Sequence, residues 1–136
     1  MPHLKRRKIF ISHAWQYSEH YETMVRWLNG APNFVWSNCS VPRTNPLGIN
    51  TKSNLEIGIT NQINPAQIVI ILGGMYANHS DWIDYEISEA ARLRKIIIGV
   101  RPWGQERVPL IVQNASDCEL VGWNQMSIIR AVRGFL

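Results

Sequence analysis

The sequence predicts a single-domain α/β fold over residues 1–136, with a five-stranded parallel sheet of order 2-1-3-4-5 covered by helices on both faces. Three observations lead there. The apolar runs near residues 8–13, 67–73 and 95–100 are continuous rather than alternating, as in strands buried on both faces. The segments between them carry apolar residues at helical spacing. A chain of 136 residues is long enough for one core and short for two.

Each element can be justified in order. "KIFISHAW" places Ile9, Phe10 and Ile11 in the first strand. Tyr17, Tyr21, Met24, Val25 and Leu28 then recur on one face of a helix that Gly30 closes. "NFVWS" (33–37) is a short second strand. Residues 38–54 hold Pro42, Pro46, Gly48 and several asparagines, the composition of a long loop. Leu55, Ile59, Gln62 and Ile63 fit an amphipathic helix, and "QIVIILGG" (67–74) is a third, fully apolar strand. A helix over roughly 80–94 follows, with Ile83, Ile87, Ala90 and Ala91 as its buried stripe. "KIIIGVRPW" (95–103) is the fourth strand. Residues 104–119 read as irregular, "ELVG" (119–122) as a short fifth edge strand, and 124–134 as a last helix bearing Ile128, Ile129 and Val132. This is the layout of a flavodoxin-like three-layer sandwich. Its ligands bind outside the carboxyl ends of the strands, at the switch point beside strand 1.

Composition narrows the function. With 46% hydrophobic and 18% charged residues the chain is an ordinary globular protein. Its net charge of +4 comes largely from "HLKRRK" (3–8) and "RAVRGFL" at the end, which read as solvated segments. No nucleic-acid module or aromatic ladder accompanies them, so nucleic acid is not an expected partner. Cys39 and Cys118 are far apart, as free thiols of a reducing compartment are. The basic start lacks a long apolar stretch, and no run approaches the roughly 20 residues of a membrane span. A cytoplasmic location, away from membranes, is expected. His3, His13, His20 and His79 show no ligand spacing, so no metal is expected.

The switch point gathers chemistry from four loops. Strand 1 delivers Ser12, His13, Ala14 and Trp15; the loop after strand 2 delivers Asn38, Arg43 and Asn45. The segment after strand 3 delivers Tyr76, His79, Trp82 and Glu86, and strand 4 ends at Arg101 and Trp103. A phosphate-binding G-x-x-x-x-G-K-[ST] loop is missing, and Gly73-Gly74 alone is no dinucleotide fingerprint. Strand 3 ends without the aspartate of a phospho-receiver. A Ser12–His13 nucleophile pair is poorly disposed, because neighbours on an extended chain point to opposite sides. Glu86 stands out. It falls about 60° off the apolar stripe of its helix, on the flank that Trp82 shares four residues earlier. One reading is an ordinary helix-surface acid, favoured by helix propensity and the dipole of the opening turns. The other is a carboxylate aimed into the crevice.

"KIFISHAW", "SDWIDYEI" with its W-x-x-x-E, "KIIIGVRPW" and "GWNQMSIIRAVRGFL", in that order, resemble a TIR domain. More narrowly, the chain is similar to the compact prokaryotic TIR-like group of the Thoeris anti-phage system. The resemblance spans nearly the whole chain. It implies an enzyme that cleaves NAD at the nicotinamide–ribose bond, giving ADP-ribose or a cyclic or conjugated ADP-ribose signal in antiviral defence. NAD is then substrate, and no cofactor is implied. The W-x-x-x-E glutamate, here Glu86, is the implied catalytic acid. Phe10, Ser12 and His13 match the strand-1 end lining the nicotinamide side. "SVPRTNPLG" matches the loop over the site, whose Asn38–Asn50 stretch is implied to mediate self-association into an oligomer or filament. Asn38, Asn45, Tyr76 and Trp82 complete the expected substrate contacts.

The chemistry is sound on its own terms. Nicotinamide leaves as a neutral molecule from a cationic ring, so the leaving group needs no proton. An oxocarbenium-like ribose builds up, which a carboxylate stabilises, with Trp82 or Phe10 as a stacking wall. The rival from another class is a non-catalytic TIR-like interaction module. A third possibility is a nucleoside-cleaving transferase on a related sheet.

Overall fold

The computed structural model describes residues 5–12, 18–40, 52–72, 76–101, 108 and 110–135, of which 18, 52–55 and 76–81 through their backbone alone. Strand β1 (Arg6–Ile11) leads to α1 (Ser18–Gly30), β2 (Val35–Asn38), α2 (Lys52–Ile63), β3 (Ile68–Leu72), α3 (Tyr76–Arg92) and β4 (Ile96–Val100). Two helices, α4 (Leu110–Ala115) and α5 (Gln125–Phe135), complete the described chain.

The sheet is parallel, with order β2-β1-β3-β4. Ile9 sits opposite Ile68, and Ile68 opposite Ile96, so the three apolar strands lie side by side in register. Every residue of β3 is buried, which is why its sequence shows no wet face. The right-handed crossovers that parallel strands favour would put α1 on one face and α2 and α3 on the other, and α2 packs against α3. Helix α5 packs beside α1, and α4 beside α3. Of the expected α1 stripe, Tyr21, Met24 and Leu28 are buried, Val25 is half-buried and Tyr17 lies outside the described residues; Ile128, Ile129 and Val132 of α5 are buried.

Among the described residues the sheet has four strands where the sequence predicts five. At the fifth position only a single parallel bridge forms, between Val100 and Val121. The cause is local. Along the outer edge of β4, Ile97 N–H donates to the Asp117 carboxylate (2.7 Å) and Gly99 N–H to Ser116 Oγ (2.9 Å). Side chains thus satisfy donors that a strand would otherwise satisfy. Backbone bonds on this edge are few: Asp117 N–H donates to Ile97 O (2.7 Å), Val121 N–H to Gly99 O (2.9 Å) and Arg101 N–H to Val121 O (2.7 Å).

Three further expectations are corrected. The stretch read as irregular contains α4, anchored by the buried Val112. Helix α3 begins at Tyr76 rather than near residue 80, so Glu86 lies in its third turn and not at its start. Ala91 is exposed, and the buried stripe of α3 is Ile83, Glu86, Ile87 and Ala90. That is the i, i+3, i+4, i+7 pattern of a buried helix face, with a carboxylate in one apolar place.

The end of α3 is also defined. Lys95 N–H donates to Ala90 O (2.8 Å) and Arg94 N–H to Ala91 O (3.1 Å), with Arg94 at φ 59°. This is the paired closure of a helix whose left-handed residue is usually glycine. It stops α3 and turns the chain straight into β4.

Candidate active site

The site is built where β1 ends against α3. Side chains alternate along a strand, so Phe10 and Ser12 share one face of β1 while Ile9 and Ile11 share the other. Phe10 is fully enclosed in the core. One step further along the same face, the pleat presents a hydroxyl instead of a ring. Ser12 is 1% exposed and Glu86 4%, the two buried polar side chains among the described residues.

They meet. Ser12 Oγ donates a short hydrogen bond to Glu86 Oε1. Among the described residues no second donor and no cation reaches the Glu86 carboxylate. Burial therefore dominates its ionisation: the carboxyl is pushed up to about 8, with the Ser12 hydrogen bond pulling the other way. At neutral pH Glu86 carries a proton for most of the time. A helix-surface acid would be solvated and ionised, and the dipole acts only within the first turn. Neither condition holds for Glu86.

The main chain around Ser12 is tied on both sides. Its own N–H donates to Ile70 O on β3 (2.7 Å), and the N–H of Ile11 donates to Ser40 Oγ beyond β2 (2.8 Å). On α3, the helix that carries Glu86 is clamped to α2. Thr60 Oγ1 donates to Glu89 Oε1 (2.7 Å) and lies 2.6 Å from the Tyr85 hydroxyl, which donates to Glu56 O (3.1 Å). Arg92 closes the cluster on Glu89 at 2.8 Å. Its hydrogen bond is the largest influence holding the Glu89 carboxyl down to about 2.

The other expected site residues are distributed unevenly. Trp82, four residues before Glu86, is half-buried against the core. Of the two stacking candidates it is the one with exposed surface. Asn38 turns to α1 instead: its Nδ2 donates to the Tyr21 hydroxyl (2.7 Å), and its Oδ1 accepts from Ser40 N–H (2.8 Å). There it lines an open cavity of about 640 Å³ with Tyr21, Glu22, Val25, Arg26, Asn29 and Gly30. Glu86 is not on that wall. His13, Asn45, the Tyr76 side chain and residues 41–50 lie outside the described residues.

Ser40 and the α2–α3 clamp were not legible as site supports. Ser40 reads as one polar loop residue among many, and Tyr85–Glu89 as a solvated helix face. The sequence singles out Glu86 but places it on the flank of the apolar stripe; the structure puts it within the buried face Ile83-x-x-Glu86-Ile87-x-x-Ala90.

Residues 10–107 match the family of the Thoeris protein ThsB, TIR-like domain. The chain belongs to that family. The matched stretch runs from Phe10 past Glu86 and ends before α4, so it covers the Ser12–Glu86 pair and the α2–α3 clamp. No curated protein sequence matches this TIR-like domain. Among solved structures it is similar to the CMP N-glycosidase BcmB of Clostridium botulinum. The TM-score is 0.61 at 15% identity, over 93% of this chain and 98% of that one. At that identity the likeness is one of fold, compatible with the flavodoxin-like class. Among the described residues no group of three His, Cys, Asp or Glu side chains could hold a metal ion, and no helix is long and apolar enough to cross a membrane.

Proposed function

We propose that this TIR-like domain cleaves the nicotinamide–ribose bond of NAD, with Glu86 as the catalytic carboxyl, and that the product serves as an ADP-ribose-type signal in antiviral defence. The observation that carries the reading is the burial of Glu86 on α3 against Ser12 at the carboxyl end of the central strand β1. Enclosing a carboxyl in such a place costs stability, and groups whose ionisation is shifted this way cluster at functional sites.

The reaction needs little else. The C1′–N bond breaks with its electron pair going to the ring nitrogen, which neutralises the nicotinamide cation. Positive charge develops on the ribose C1′ and ring oxygen, beside Glu86. Water or a hydroxyl then adds to C1′ and releases a proton. A carboxylate beside developing charge, in a water-poor site, stabilises the transition state more than the ground state. The cationic ring itself favours ionisation of Glu86, so substrate binding and loss of the carboxyl proton are coupled.

A second reading has its own support. A protonated Glu86 is suited to a neutral nucleobase, whose departure requires a proton from a general acid. The fold neighbour is named for cleaving CMP, a substrate of that kind. Incubating the purified protein with NAD and, separately, with CMP, and resolving products by mass, decides between the two. Free nicotinamide supports the first reading; free cytosine supports the second. A preparation that releases neither base at any protein concentration or pH from 5 to 9 counts against both.

A further inference from the structure

Ser12 and Glu86 approach each other from unequal supports. Ser12 belongs to the sheet: its N–H donates to Ile70 O on β3, the N–H of the preceding Ile11 donates to Ser40 Oγ beyond β2, and 1% of its surface is exposed. Close packing leaves such a side chain almost no alternative position. Glu86 hangs from α3 on a side chain with three rotatable bonds, and a carboxyl at its end can turn through many orientations. Its apolar neighbours on the stripe, Ile83 and Ile87, constrain its volume but not the direction of its oxygens. The direction comes from the serine hydroxyl, which the sheet holds still.

We infer that Ser12 is a positioning residue: its hydroxyl fixes one oxygen of Glu86 and so presents the other to the ribose carbon, raising turnover without touching substrate. The inference rests on the N-glycoside-cleaving reading above, for either leaving base. Because effective catalysis depends on sub-ångström placement of the charged group, releasing one oxygen lowers turnover more than affinity.

A serine that merely fills space would not affect the ionisation of Glu86. A donor does, because it stabilises the carboxylate against burial. Few other groups compete for that influence. Among the described side chains, β3, β4 and α4 bring no titratable group, and α2 brings Glu56. On α3 itself the near neighbours are Asp84, Tyr85 and Glu89, of which Tyr85 and Glu89 are engaged with Thr60. Lys8 lies four residues back along β1, and Arg101 is exposed beyond the end of β4.

The experiment compares the full-length protein with Ser12→Ala, Ser12→Thr and the near-isosteric Ser12→Cys. Carbon-13 NMR of glutamate-labelled protein follows the Glu86 carboxyl, identified by its loss in Glu86→Gln. Rates are measured on whichever of NAD and CMP the wild type cleaves. In Ser12→Ala the carboxyl titration and the matching limb of the pH–rate profile should move alkaline by about half a unit to one unit. kcat should fall roughly tenfold with KM within about twofold, and Ser12→Thr should recover much of the loss. If Ser12→Ala does not fold, Ser12→Cys, a weak donor, stands in for it. An unmoved Glu86 titration overturns the inference whatever the activity, as does an equal loss in Ser12→Ala and Ser12→Thr. A moved titration in a protein that cleaves neither substrate leaves the Ser12–Glu86 link standing and overturns the function instead.

Discussion

The Ser12 hydroxyl donates to the Glu86 carboxylate from 74 residues away in sequence, joining the end of the central strand to the third turn of a helix. The contact converts an apparent helix acid into a buried one. Burial of Glu86, against which the Ser12 hydrogen bond pulls, sets the sign of the pH effects expected of this protein.

Glu86→Gln should leave the fold intact and lower N-glycoside cleavage by about 10²-fold or more, since it keeps the shape and removes the ionisable group. Steady-state rates on the cleaved substrate, with circular dichroism as the control for folding, check this. Turnover within a few-fold of wild type would remove Glu86 from the chemistry.

The same substitution should flatten the dependence of stability on pH. The folded carboxyl titrates near 8 against an ordinary value of 4.5. Protonated, buried Glu86 is therefore fully compatible with the fold below pH ~4.5. As pH rises from there the unfolded state gains by ionising, and stability is lost until the folded group also ionises near 8. Urea unfolding at pH 5 and pH 8 should show wild type losing stability by roughly 1–3 kcal/mol through this group. In Glu86→Gln that portion of the loss should be missing.

Activity should follow the leaving group. For NAD, with its cationic nicotinamide ring, the ionised carboxylate is required, so kcat/KM should rise with pH and level off near 8. The kcat limb should lie at lower pH, because the bound cation favours the carboxylate. For CMP, with its neutral base, the protonated form is required, and kcat/KM should fall above the same pH. Profiles on both substrates test the sign directly.

Thr60→Val should loosen α2 from α3 by roughly 1 kcal/mol, since it removes the donor to Glu89 and the partner of Tyr85. Hydrogen exchange should quicken along α2 before the sheet is affected. The Glu89 carboxyl is held down to about 2. Its contribution is therefore present above pH ~4.5 and fades as pH falls toward 2, opposite in direction to that of Glu86.

Gly99→Ala should cost roughly 1–3 kcal/mol. A Cβ there would stand 2.8 Å from Leu120 Cδ2 and 3.2 Å from Ser116 Cβ, the residue whose hydroxyl holds the Gly99 N–H. Denaturant unfolding measures the loss. A neutral result would mean that the single-bridge edge of the sheet yields freely.

Much of this protein was legible without coordinates, for reasons of periodicity. Continuous apolar runs placed β1, β3 and β4 in a parallel sheet, because only strands covered on both faces need no polar side. Helical spacing placed α1, α2, α3 and α5, and W-x-x-x-E singled out Trp82 and Glu86. These are properties of neighbouring residues, and neighbours are what a sequence records.

Tertiary structure decided the rest, because it depends on partners distant in the chain. Ser116 and Asp117 reduce a fifth strand to one bridge by occupying the edge of β4 with side chains, and no local pattern announces that choice. Asn38 goes to Tyr21 and the α1 face although its loop follows the switch point. Ser12, one polar residue at a strand end, becomes the partner of Glu86 only when α3 lies across the sheet. The ionisation of Glu86 then follows from enclosure, since the cost of its charge is set by what surrounds it and not by what precedes it in the chain.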